Sequence, residues 1–156
     1  MQCIPIKSDL DIVVARIEGR NLAREIGFGA TDQARIATAI TELARNVVLY
    51  AGGGSVTLRR VPPVDASDGQ VPEARRSGTE QAGIEVVCED RGPGIQDLEG
   101  MLCDGYPAGR GLGTGLSGTR RLMDEFDIRS AVGVGTTVVV RKWLRRNERE
   151  PAGPGE

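Results

Sequence analysis

The sequence contains no histidine among its 156 residues. That absence excludes a Ser-His-Asp triad, a Cys-His pair, a phosphohistidine relay on this chain and most catalytic zinc sites. Any proton transfer must fall to a carboxylate or another side chain. Aromatic residues make up only 3%, leaving few platforms on which nucleic-acid bases might stack. Cysteine is scarce and poorly spaced for chemistry: Cys3, Cys88 and Cys103 fit neither a disulfide framework nor a CxxC metal site, and read as thiols of a reducing compartment.

Neither sign of charge dominates, with 20 basic side chains against 22 acidic ones. The net charge of −2 gives no overall attraction to phosphate backbones, so no nucleic-acid partner is expected. The basic run Arg141, Lys142, Arg145, Arg146 and Arg149 reads as a solvated end. No apolar run is long enough to span a membrane, and the N-terminus MQCIPIKSDLDIVV has no basic region followed by a signal-length apolar stretch. A cytoplasmic protein without a membrane contact is expected. The length suits one domain over residues 1–144 with a polar tail at 145–156.

Glycine, by contrast, is abundant: 22 residues, gathered around 92–118 and 133–135, as in backbone shaped to approach a ligand. Around these glycines the periodicities predict an edge strand at 2–7, kept at the edge by Pro5, and a helix capped by Ser8 and Asp9. The buried face of that helix is predicted to be Leu10, Val13, Val14, Ile17, Leu22 and Ile26, with Gly27 or Gly29 as its end. Thr31 and Asp32 open a second helix running to about Ala51 on an apolar face of Ala34, Ile36, Ala37, Ile40, Leu43, Val47 and Val48. Strands are expected at Ser55–Val61 and Gly83–Glu89, joined by a long polar loop over 62–82. A short helix from Ile95 to Leu102, a third main helix from Leu116 to Phe126, and a hairpin of Ile128–Val132 with Thr136–Trp143 complete a layered α+β sandwich.

Four short stretches carry candidate chemistry. In ELARN, Glu42 and Asn46 lie four residues apart, about 40° from each other around a helix axis. A carboxylate and an amide so placed suit a proton acceptor beside a magnesium ligand, though the same spacing also suits a solvated helical pair. In EDRGPGI, Asp90 ends a strand and Gly92 and Gly94 permit a sharp turn; such an aspartate can accept a proton from a ligand amine while the glycines admit a flat ring. In GRGLGTGLSG, clustered amides lead into a helix N-terminus, an arrangement that favours a phosphate. Gly113, Gly115 and Gly118 match GxGxxG, but a polar loop before them and a hairpin after them exclude a dinucleotide-binding βαβ unit. GVGTT, the fourth, begins the last strand.

In order and spacing, ELARN, DRGPGI, GLGTGL and GVGTT resemble the four nucleotide-binding boxes of the GHKL superfamily, which includes gyrase, Hsp90, MutL and the histidine kinases. The longer stretches IGFGATDQARIATAITELARNVVLYAGGG and DGYPAGRGLGTGLSGTRRLMDEFDI are similar to the small serine/threonine kinases that regulate bacterial sigma factors. The segment at 62–82 is longer than the family pattern there. The resemblance implies the Bergerat fold, a two-layer α/β sandwich with a mixed sheet and helices on one face. It implies ATP and magnesium, with Asn46 as the metal ligand and Glu42 as general base for the attacking serine or threonine hydroxyl. Asp90 would accept the adenine amino group, with Gly92 and Gly94 shaping the base pocket. Gly111, Gly113 and Gly115 with Thr114 would form the phosphate lid, and Thr136 or Thr137 would assist adenine binding. The implied substrates are STAS-domain stressosome proteins, and the implied later partner is a PP2C-type phosphatase. A nucleotide-dependent binding module of the anti-sigma-factor kind and a stand-alone ATPase are the alternatives.

Overall fold

The fold is described from a computed structural model for residues 1–62, 82–95 and 112–144, with side chains from Leu116 onward in the last stretch. The expected short helix after Ile95, the 62–82 loop interior, Gly111 and the 145–156 tail lie outside the described residues.

Strand β1 (Gln2–Ile6) pairs on one side only, with β2 (Gly54–Val61), and Pro5, which has no N–H to give a ladder, sits opposite Ser55. Beyond β2 come β3 (Gly83–Asp90), β5 (Gly135–Trp143) and β4 (Glu125–Ala131), in the order β1-β2-β3-β5-β4. Every neighbouring pair is antiparallel. The expected mixed sheet is therefore corrected. β3 and β4 do run in the same direction, but β5 folds back between them as a hairpin and separates them.

The sheet's two faces differ in chemistry because side chains alternate along each strand. Ile4, Val56, Cys88, Val138 and Ile128 share one cross-strand row, and Leu58, Val86, Val140 and Phe126 share another, both on the helix-covered face. The opposite face carries a ladder of alternating charge. Glu85 there accepts from Arg59 at 2.8 Å and from Arg141 at 2.6 Å, and Glu125 accepts from the Trp143 indole at 2.7 Å.

Helix α1 (Asp9–Ile26) starts where the Asp11 carboxylate accepts the N–H groups of Lys7 and Ser8, and ends at Gly27, whose φ is +118°. Its buried residues are Ile12, Ala15, Gly19, Ala23 and Ile26. The expected face is corrected: Leu10, Val13, Val14 and Ile17 point outward. Ile26 is buried as expected and Leu22 packs against the core. The cause of the correction lies in close packing on α2 (Ala30–Asn46) at the middle of the helix, where a Cβ on Gly19 would collide with Ile40 Cδ1.

α2 packs between α1 and α3 (Leu112–Leu122). It begins at Ala30, with Gly29 rather than Thr31 or Asp32 at its N-cap. Asp32 is instead buried, 2.9 Å from Arg35 and 3.6 Å from Lys142, which donates at 3.0 Å to the Leu122 carbonyl at the end of α3. Paired and hydrogen-bonded, these charges tolerate burial, and removing one partner of such a set costs about 3–5 kcal/mol. The third helix starts earlier and stops earlier than expected, because Phe126 belongs to β4 opposite Val140.

Candidate functional site

One end of the helix-facing side of the sheet gathers the last inward row: Gly54, Asp90, Thr136 and Ser130, side by side on β2, β3, β5 and β4. Asp90 Oδ1 accepts the backbone N–H of Gly92 at 2.9 Å and that of Thr136 at 3.3 Å. These two bonds fix the carboxylate plane and leave Oδ2 without a hydrogen bond among the described residues. Thr136 and Ser130 share a hydrogen bond of 2.8 Å between their hydroxyls, and Ser130 Oγ accepts the Ile95 N–H at 2.8 Å. The Gly92–Gly94 turn is thereby tied to the β4–β5 hairpin, with the Gly133 N–H also donating to the Pro93 carbonyl at 2.8 Å. Gly94 takes a φ of +78° beside the Ala131 carbonyl, a position where a Cβ would be both strained and blocked.

Opposite this row stands the C-terminal end of α2. Its helical course continues to Ala51 as expected, but Val47–Ala51 widens into a π turn before Gly52 reverses the chain at φ +72°. Such turns recur at functional sites. Asn46 and Asp90 both line a cavity of about 50 Å³ between this turn and the sheet, together with Leu43, Tyr50, Leu116 and Val138. A complete small-molecule pocket measures roughly 300–1,000 Å³, so this closed part accepts only the inner end of a ligand. The Asn46 side-chain nitrogen is buried without any hydrogen-bond partner among the described residues. A buried amide without a partner is rare in a native fold and calls for an explanation, such as a water, an ion or a ligand in the cavity it lines.

Glu42 lies one turn earlier, part-exposed, with its carboxylate 3.1 Å from Arg45. Cys88 forms part of the cavity floor and donates to the Leu43 carbonyl at 3.7 Å. Burial, reinforced by the charges of Asp90 and Glu89, pushes its thiol from the ordinary 9.0 up to about 12. It therefore stays protonated and unreactive.

Asn46, Asp90, Gly94 and Thr136 are brought together, and Gly92 packs beside Asp90 with Ala51 as its close neighbour. Thr137 is not in the inward row: alternation places it with Ser55, Glu89 and Arg129 on the opposite face. It lines a wide depression of about 880 Å³ at this end of the sheet, whose lining also includes Gly54, Asp90, Ser130 and Thr136 but neither Glu42 nor Asn46. The depression and the small cavity share Asp90 and Thr136, and Asn46 lines only the small one. Gly113, Thr114 and Gly115 fall in the first turns of α3, whose leading N–H groups have no partner within the helix. Ser130, Gly54 and Tyr50 escaped the sequence reading. Ser130 was within reach, since it continues the period-two series Phe126, Ile128, Ser130.

No three acidic or sulfur ligands cluster for a metal among the described residues. A magnesium ion held by phosphates and waters needs only one or two protein oxygens; the unpartnered atom of Asn46 is its nitrogen, a donor, so the side chain must turn to offer its oxygen to such an ion.

The model of the histidine kinase-like ATPase domain matches residues 8–142, and the chain belongs to that family. It is 46% identical over 143 residues to serine/threonine-protein kinase RsbT of Bacillus subtilis (strain 168), covering 92% of this chain and 96% of that one. An identity of this size over nearly the whole of both chains makes this chain a kinase of the same type. Its fold is also that of the catalytic domain of histidine kinase ThkA in a nucleotide-free form, with a TM-score of 0.52 at 14% identity over 96% of this chain and 100% of that one.

Proposed function

We propose that residues 1–144 form one ATP-dependent kinase domain that phosphorylates serine or threonine on STAS-domain stressosome proteins and, once released from them, binds and activates a PP2C-type phosphatase. The observation that carries the proposed site is the unpartnered, buried amide of Asn46, facing the same cavity as an Asp90 already oriented by two backbone bonds.

In this reading Asp90 Oδ2 accepts the adenine amino group, the Gly92–Gly94 turn shapes the base pocket, and Thr136 supports Asp90 from β5. Asn46 supplies the protein oxygen for magnesium, with its amide turned accordingly. Magnesium, when bound, neutralises charge on the phosphates. Gly113, Thr114 and Gly115 present the N–H groups at the start of α3 to the phosphates, with Gly111 ahead of them. Glu42 accepts the proton of the attacking hydroxyl, contributing about 10²–10⁴-fold. Its part-exposed contact with Arg45 engages only Oε1 and leaves Oε2 for that proton. The second reading is a nucleotide-set binding module that sequesters its partner.

Incubation with ATP labelled at the γ-phosphate and a purified STAS-domain protein, with magnesium or with a chelator, separates these readings. Label on a serine or threonine, lost with the chelator, is the expected result. Nucleotide binding without transfer supports the module, and free phosphate alone supports an ATPase.

A further inference from the structure

Ser130 stands on β4 opposite Thr136 of β5, and its hydroxyl is the centre of a small, part-buried network. Ser130 Oγ accepts the Ile95 N–H at 2.8 Å, lies 2.8 Å from Thr136 Oγ1 and lies 3.3 Å from the Gly135 carbonyl. A serine hydroxyl has one proton to give and two lone pairs to offer. The Ile95 amide occupies one lone pair, and the proton has two destinations. At 2.8 Å the Thr136 hydroxyl is at the ordinary O–H···O distance, whereas 3.3 Å to the Gly135 carbonyl is beyond it.

The destination matters because Thr136 lines the cavity together with Asp90. With the Ser130 proton on Thr136 Oγ1, the threonine keeps its own proton for the cavity and acts there as a donor. With the bond reversed, the cavity meets only threonine lone pairs beside a carboxylate, two acceptors with no donor between them. An ionised Asp90 is an acceptor in both cases. Only the first arrangement sets an acceptor next to a donor, the complement of a base edge that carries an amino group beside an unprotonated ring nitrogen. We infer that Ser130 is a positioning residue of the nucleotide site: by donating to Thr136 Oγ1 it commits the Thr136 hydroxyl to donate, directly or through one water, to the ring nitrogen beside the adenine amino group. The inference rests on the placement of adenine at Asp90 proposed above.

Calorimetric titration of the full chain compares ATP with its 1-deaza analogue, in which C–H replaces that ring nitrogen and the amino group is kept. Wild type is expected to bind the analogue about tenfold more weakly, since the committed Thr136 proton is then left without an acceptor. Ser130→Ala, shown by its melt to be folded, should weaken ATP and bring the two ligands within about twofold of each other. Ser130→Thr, which keeps the hydroxyl, should restore the preference. In a Thr136→Ala background the preference is already lost, and adding Ser130→Ala should not change it. A Ser130→Ala variant that weakens both ligands equally and keeps the tenfold preference overturns the inference, and leaves Ser130 as a brace for the turn at Ile95. Equal binding of the two ligands by wild type also overturns it, and needs no variant; if Asp90→Asn still lowers ATP affinity in that case, the adenine site stands without the hydroxyl pair. ATP that fails to bind wild type, or binds it no better than Asp90→Asn, removes the adenine placement and the inference together.

Discussion

Glu42 and Asn46 occupy one helical face a turn apart, yet only Asn46 reaches the closed end of the cleft, while Glu42 rests against Arg45. Their roles therefore separate under mutation. Glu42→Ala should bind ATP with wild-type affinity by calorimetry and lose roughly 10²–10⁴-fold in labelled-phosphate transfer; transfer at the wild-type rate would remove Glu42 as the base. Cys88 offers a test independent of ligand. Its thiol stays protonated in the fold up to about pH 12 but ionises in the unfolded chain above about 9.0. The unfolded state thus sheds its proton first, and stability falls as pH rises through that window by up to about 1.4 kcal/mol per unit. Urea unfolding of wild type against Cys88→Ala should show the two diverging only above pH 9; parallel profiles would mean the thiol is not held protonated. Asp90 and Asn46 were legible because their types and spacing carry chemistry. Tyr50 was not, since nothing in VVLYA announces a π turn.

Elements were legible where one periodicity dominated. The strands from Gly54, Gly83 and Gly135 begin within a residue of expectation, because alternation and flanking glycines agree there. Helix α1 was misread over its first half for a physical reason: it is apolar on both sides, and the buried side combines Ile12 and Ile26 with the small Ala15, Gly19 and Ala23, which large outward aliphatics outweigh in any reading by hydrophobicity. The start of α2 was misread because Asp32, a good cap by type, is committed to Lys142 on a strand more than a hundred residues away. Gly54 couples element to site: a Cβ there would collide with the Glu89 carbonyl and lie 2.9 Å from Val47 Cγ1. Gly54→Ala should cost about 1–3 kcal/mol, read as a lower urea midpoint with an unchanged slope, and should weaken ATP binding by displacing the π turn. A wild-type midpoint would mean that β2 and β3 have room the geometry denies.

At the scale of the molecule, the order of elements was legible and the sheet's pairing was not. Strand directions depend on how the hairpin β4–β5 inserts beside β3, a long-range choice with no local signature. That insertion sets Thr136 and Ser130 next to Asp90 and turns three separate segments into one wall of the cleft. The family's fold supplies the wall, and the open amide across from it supplies the reason to place a nucleotide there. Asp90→Asn probes this directly, because an asparagine Oδ1 can keep both backbone bonds while its nitrogen presents a donor to the adenine amino group. Calorimetric titration of ATP with magnesium into wild type and Asp90→Asn, each shown by its melt to be folded, should give affinities differing ten- to hundredfold, from a charge-assisted bond of about 1.5–3 kcal/mol. Equal affinities would contradict the placement of the purine at Asp90.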